Sequence, residues 1–347
     1  MKRNPVQEII DQVVAGMTGD QKHDWEYLNQ KLEEYEEHPL GSEISKEIGR
    51  LLYSVMPEEE RERFRKTMEQ EGVELHLAIQ NAVHHVRNKQ LLQARAVLAK
   101  EIKHQEKLYP YKNTDKIEYY CFDEPFERAL HSHVSQGHKE CHNLSVPFPL
   151  AYYIYATIMM DMNQMEAARR ALDKGLRWNP YSVSLILKRA EVISKSMDEI
   201  ALLEGTKTAL LYAYKPEQVS ACYANFARYY LQQKQYKLGI GCCMIAQHFS
   251  ENNEDALEIL KQLYEETDGE VMPPNMEEVK ELAKEADLPF GTNRDVIGLA
   301  FAYGYQYYKE KIYEPALYFL QIGYHLTDDE DAETAIEEIK QHLEENK

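Results

Sequence analysis

The sequence predicts an all-α protein: a solenoid of stacked helical hairpins behind an N-terminal helical cap. Three observations carry that expectation. A pattern of large and small residues returns three times at matching spacings. Glycine and proline are few, 15 and 13 in 347 residues, and the prolines fall between amphipathic stretches. Period-two alternation of β-branched residues is almost absent, which predicts no sheet.

The pattern is clearest between Pro149 and Pro180. Tyr152, Tyr155, Ala156 and Met159 share one face of a first helix; Asn163 and Gln164 mark a polar turn. Ala168, Leu172, Gly175 and Leu176 share one face of a second helix, closed by Asn179-Pro180. Two helices cross closely only where the crossing residues are small, and Ala156 and Ala168 provide that. The same positions recur as Tyr223, Phe226, Ala227, Tyr230 with Tyr236, Gly239, Cys243, Ala246. They recur again as Ala300, Tyr303, Gly304, Tyr307 with Tyr313, Ala316, Leu320, Gly323. This order, closed by a proline in the first case, resembles the tetratricopeptide repeat, a helix-turn-helix unit of about 34 residues. The resemblance implies a right-handed superhelix, with clear repeats at about 149–181, 220–252 and 297–329.

Weaker units fill the spaces. From His76, residues Ala78, Asn81, Ala82 and His85, then Leu91, Ala94, Leu98 and Glu101, keep the small crossing at Ala82 and Ala94. A second weak pair runs from Ser182 to Tyr214, and a third joins Asp255–Glu266 to Met276–Ala286 across Gly269 and Pro273-Pro274. The steps from Ala82 to Ala156, Ala227 and Gly304 are 74, 71 and 77 residues, each about two repeats. Residues 73–347 therefore read as one uninterrupted array, ended by a polar capping helix at Glu330–Glu345. Residues 1–72 do not register with the repeat. They read as a helical cap or bundle of three amphipathic helices and a charged fourth at Glu58–Glu71, whose start has Pro57 followed by acids at the positive end of the helix dipole. Between Tyr109 and Pro149 lies the least regular stretch, with Tyr119, Tyr120, Phe122 and Phe126, a helix from Pro125 to about Gln136, and a loop rich in histidine.

Net charge is −19, from 59 Asp and Glu against 40 Lys and Arg. A phosphate backbone would be repelled, so no nucleic-acid partner is expected. The longest nearly apolar run, Pro149–Met160, is too short for a bilayer, so no membrane partner is expected either. The N-terminal MKRNPVQEIIDQVV lacks an uninterrupted apolar region and is not a secretory signal. Five irregularly placed cysteines do not make a disulfide framework, which points to the cytoplasm.

Candidates for chemistry are few. His131, His133, His138, Cys141 and His142 are zinc-type ligands, but crowded into one segment without a distant second pair; His133 with His138, joined by Cys141, is the most plausible chelating set. No metal site is expected there. Cys242-Cys243 sits mid-helix with Cys243 at an apolar position, and reads as core. No phosphate loop or hydrolase motif is present. The expectation is a chain that is not an enzyme, with no catalytic residues and no cofactor.

Tetratricopeptide arrays bind peptides in the concave groove lined by first helices, so the resemblance implies a protein or peptide partner there. The matching positions are Tyr153, Thr157 and Met160; Ala224, Asn225, Arg228 and Leu231; and Phe301, Tyr305 and Tyr308. Chaperone-binding members hold a C-terminal carboxylate with Lys and Asn at two of these positions. Here they are Tyr153/Thr157, Ala224/Arg228 and Phe301/Tyr305, so that clamp is not reproduced. The expected function is a non-enzymatic binding or scaffolding module. The alternative is a peptide-sensing regulator, because a helical N-terminal bundle before a repeat array also resembles the bacterial response-regulator aspartate phosphatases and their pheromone-receptor relatives. The whole chain is similar to an uncharacterised group of Firmicutes repeat proteins, which implies a bacterial origin. A third reading, a metal-dependent enzyme, rests on the histidine-rich segment alone. Partner identity and oligomeric state are not encoded in any motif.

Overall fold

The computed structural model describes residues 5–35, 38, 40–57, 72–135, 139–195 and 199–345. Helices α1 (Pro5–Ala15), α2 (Gln21–Glu34) and α3 (Gly41–Val55) form an N-terminal bundle in which α3 packs on both others. Its own core contains the fully buried Leu28, Ile44 and Ile48. The buried Asp24 carboxylate accepts the backbone N–H of Thr18 at 2.7 Å and of Gly19 at 2.8 Å. The Thr18 bond foremost holds its carboxyl below the usual range. The charged helix expected at 58–71 lies outside the described residues.

Among the described residues five helical hairpins follow, each packed chiefly on itself: α4 (Val73–Arg87) with α5 (Leu91–Leu108), α7 (Phe148–Asp161) with α8 (Met165–Trp178), and α9 (Val183–Ser194) with α10 (Glu199–Leu210). The other two are α11 (Pro216–Gln232) with α12 (Tyr236–Phe249), and α15 (Arg294–Lys309) with α16 (Tyr313–Thr327). The all-α solenoid of tetratricopeptide-like pairs is therefore present. The crossings are as close as the sequence requires. Ala82, Ala94, Ala156, Ala168, Ala227 and Ala246 are buried, and a Cβ on Gly304 would meet the Leu320 side chain at 2.8 Å. The weak α9/α10 pair follows the same rule, since a Cβ on Gly205 would lie 2.5 Å from that of Ala190.

The turns add a signature invisible in the apolar pattern. Lys89, Asn163, Lys234 and Lys311 each take a left-handed conformation, with φ of 57–61°, seven residues after Ala82, Ala156, Ala227 and Gly304. Around each, two reverse bonds close the first helix: Lys89 N–H to Val86 O and Gln90 N–H to His85 O, with the same pair repeated at the other three turns. This is a Schellman closure. It sets the direction in which the second helix leaves.

Two departures from expectation shape the molecule. The expectation of no sheet fails at one place: β1 (Ile117–Tyr120) and β2 (Glu140–Asn143) pair in parallel, with Tyr119 opposite His142. These strands flank α6 (Pro125–Val134), and the Cys121 N–H bonds Trp178 O at 2.8 Å, fixing the ribbon to the end of α8. The array is also not uninterrupted. α13 (Glu254–Glu266) packs on α11 and α12, and α14 (Met276–Glu285) packs on α12, so these two do not form the expected hairpin. The chain then returns beneath Tyr223, whose hydroxyl donates toward Pro289 O and Gly291 O, both at 3.0 Å. The last hairpin packs chiefly on α6 and on α17 (Glu330–Glu345).

Candidate partner-binding surface

The first helices α7, α9 and α11 lie side by side, and their outward side chains form one connected row with α13. Lys188 of α9 places its ammonium 5.7 Å from the centre of the Tyr153 ring on α7. Lys188 also pairs with Glu191 at 2.9 Å. Burial presses the Lys188 ammonium down, but Glu191, Tyr153, and Asp255 on α13 outweigh it, and its pKa is raised. Arg228 of α11 completes the row, bonding Asn225 Oδ1 at 2.8 Å and Asp255 Oδ1 at 3.1 Å. The Arg228 and Asp255 side chains are 36% and 73% exposed. An ion pair that open is worth only about 0–1 kcal/mol. A carboxylate or carbonyl from a partner can therefore replace Asp255 at little cost.

Of the ten positions expected to line a groove, Tyr153, Thr157, Asn225 and Arg228 belong to this region. Thr157 is spent locally, its hydroxyl donating to Tyr153 O at 3.0 Å. Ala224 and Leu231 are buried and line nothing open. Phe301, Tyr305 and Tyr308 lie elsewhere, at the C-terminal end of the array. They are half-buried against a cluster of Ala316 and Leu320 on α16 with Ala335, Ile336 and Ile339 on the C-terminal helix, and the Tyr308 hydroxyl donates to Glu338. A capping helix needs an apolar seat, and these rings provide it. Lys188, Glu191 and Asp255 are row members that the apolar pattern did not single out. They sit in the weakly patterned helices, where the repeat register is hardest to read.

The histidine-rich segment is dispersed. His131 is buried, its Nε2 3.1 Å from Glu118 and its Nδ1 3.2 Å from the Tyr181 hydroxyl. Burial lowers its pKa, and Glu118 opposes this. His133 is exposed, and His142 pairs with Glu140 at 3.0 Å. His138 lies outside the described residues. Among the described residues, the ligand atoms that converge belong elsewhere, to Glu74, Glu101 and His104. There the buried Gln105 amide donates to Glu101 at 2.8 Å and toward Glu74 at 3.4 Å. Cys242 and Cys243 are fully buried, and burial pushes both thiols up, that of Cys243 to about 12.

Comparison with known proteins gives one structural likeness and no family. No family model matches the chain, and no curated protein does. Among solved structures, it is similar to a chain in "Crystal structure of APC/C hetero-tetramer Cut9-Hcn1", at 9% identity and a TM-score of 0.40. That match covers 92% of this chain and 52% of the other, so the chain spans about half of its neighbour's length.

Proposed function

We propose that this chain is a non-catalytic binding module that holds a protein or peptide partner on the row formed by Tyr153, Lys188, Asn225 and Arg228. The observation that supports it most is the pairing of Arg228 with an exposed carboxylate. The guanidinium is oriented by Asn225, and its one ion pair among the described residues is a weak surface contact. Arg and Tyr are also the residue types that dominate interface hot spots, since they bury much area in few conformers or form forked bonds. With a chain charge of −19, a strongly acidic ligand is repelled at range. The partner segment is neutral or basic overall and carries a carbonyl or carboxylate for Arg228.

The test is capture from native lysate by the full chain and by the Arg228→Ala, Asn225→Ala double variant, with retained proteins quantified. Loss of hot-spot contacts should weaken the retained partner by about 2 kcal/mol or more, with no change in thermal unfolding. Retention at wild-type level would place the partner elsewhere and end this reading.

A further inference from the structure

More than half of the net charge of this chain sits in one segment. Residues 251–287 carry thirteen Asp and Glu against three Lys, a net −10, while the whole chain is −19. Among the described residues only two of those carboxylates form ion pairs, Asp255 with Arg228 and Asp287 with Lys207. The same segment exposes large apolar side chains: Met272 is 73% exposed and Tyr264 68%, with Leu257 and Met276 also open. A solvated acidic surface explains the charge alone. It does not explain what the charge surrounds.

Because α14 packs on α12 and not on α13, a cleft of about 950 Å³ is left between the α11–α12 turn, α10 and α14. Its apolar walls are Leu203, Tyr229, Tyr230, Tyr236, Met272 and Leu282, and its acids are Glu270 and Glu285, with Lys237 the one basic group. Glu270, Met272 and Glu285 are exposed. The cleft is separate from the Arg228 row: it is lined by α10, the α11–α12 turn, residues 270–272 and α14, and it includes neither Arg228 nor Asp255.

We propose that this cleft docks a basic amphipathic helix of a partner protein. Apolar side chains at i, i+3, i+4 and i+7 would enter between the three tyrosines, Met272 and Leu282, as in helix-in-groove recognition. Lysines and arginines flanking that stripe would meet Glu270, Glu285 and the acidic faces of α13 and α14. Charge complementarity selects this occupant. A second copy of the chain, itself at −19, is repelled, and so are acidic peptides and nucleic acid.

The test uses the full chain and a labelled synthetic peptide of about 18 residues, five helical turns, with leucine at the stripe positions and lysine elsewhere. Fluorescence anisotropy should show saturable binding that weakens with added salt. Replacing the leucines by serine at constant charge should cost about tenfold or more in affinity. Glu270→Lys with Glu285→Lys should also weaken the peptide about tenfold or more, whereas the same double reversal at the remote, exposed Glu26 and Glu217 should change it by less than about twofold. Met272→Ser should weaken it by a smaller factor. No binding of the leucine-lysine peptide would overturn the proposal. Equal binding of the serine peptide, or equal loss from the remote reversal, would do the same, since either shows attraction to net charge without a seat.

Discussion

The pair α11/α12 and the two helices that follow it occupy adjacent stretches of chain and fold by different rules. α11 buries nine residues, from Val219 to Leu231, on a face wide enough to meet α12 and its neighbours together. α13 buries only Ala256, Ile259 and Leu263, and α14 only Val279 and Ala283. A helix with so narrow a stripe covers little beyond the regular pair: α13 uses its stripe on α11 and α12, and α14 uses its own on α12. The connection differs as well. Lys234 closes α11 in a tight left-handed turn, while residues 267–275 carry Pro273-Pro274, which continue neither helix. Mutual repulsion among thirteen carboxylates opposes any tighter approach. A hairpin in this array thus needs two apolar faces and a closed turn; amphipathicity alone does not make one.

α6 packs on α15 and sets Phe126 between Tyr214 and Phe319, which makes it the strongest place to test the comparison. Phe126 is fully buried, its ring 4.8 Å from Tyr214 and 6.0 Å from Phe319. Its N–H donates to the Tyr318 hydroxyl at 3.3 Å. On either side, Lys215 pairs with Glu124 at 2.7 Å and Asn179 donates to the buried Glu127 at 2.8 Å. Burial, with Asp123 adding to it, raises the Glu127 carboxyl to about 7. Phe126→Ala should cost about 3–5 kcal/mol in denaturant unfolding, and amide exchange in α15 and α16 should rise with it. A cost near that of a surface residue would mean that α6 decorates the array and does not bridge it.

What was legible in the sequence was local. The crossings at Ala156, Ala227 and Gly304 and the turns beside them depend on residues within one repeat, and all three hairpins lie where the pattern puts them. What was not legible depends on distant partners. Ile117–Tyr120 is aromatic enough for a strand, but its partner is 23 residues away across a helix, and four residues are too few to show alternation. Phe301, Tyr305 and Tyr308 match groove positions in register; that they pack on the cluster shared with α17 depends on the docking of that helix. In the site, Arg228 could be read from the register of α11, whereas Lys188 and Asp255 could not, because α9 and α13 keep too little of the pattern.

Within the regular pairs, Gly304 and Gly298 on the same helix give a second contrast. A Cβ on Gly304 would come within 2.8 Å of the Leu320 side chain and 3.0 Å of its backbone nitrogen, whereas nothing lies within 4 Å of one on Gly298. Gly304→Leu should overpack the crossing and cost roughly 1–3 kcal/mol. Gly298→Ala should instead gain up to about 1 kcal/mol from helix propensity. Urea midpoints of the two variants should move in opposite directions. If Gly304→Leu unfolded like wild type, the register assigned to the repeat would be wrong.

The smallest effect tests the turns. Lys234 holds φ at 57°, a conformation in which its Cβ crowds the backbone, and it is exposed. Its N–H donates to Leu231 O at 2.9 Å, a bond that glycine keeps. Glycine removes the Cβ crowding but loses more chain entropy on folding, so the two terms partly offset. Lys234→Gly should therefore gain about 0.5–1 kcal/mol. Asn163 sits at the same place in its own hairpin with the same φ of 57°, yet asparagine already tolerates that region. Asn163→Gly should accordingly gain less than Lys234→Gly, and the difference is the measurement: paired thermal melts in which only the lysine variant shifts upward by a few degrees. Equal shifts would show that the gain is not relief of left-handed strain. A loss at Lys234 would show that the turn depends on its side chain, and the closure shared by the four hairpins would then not be a backbone property alone.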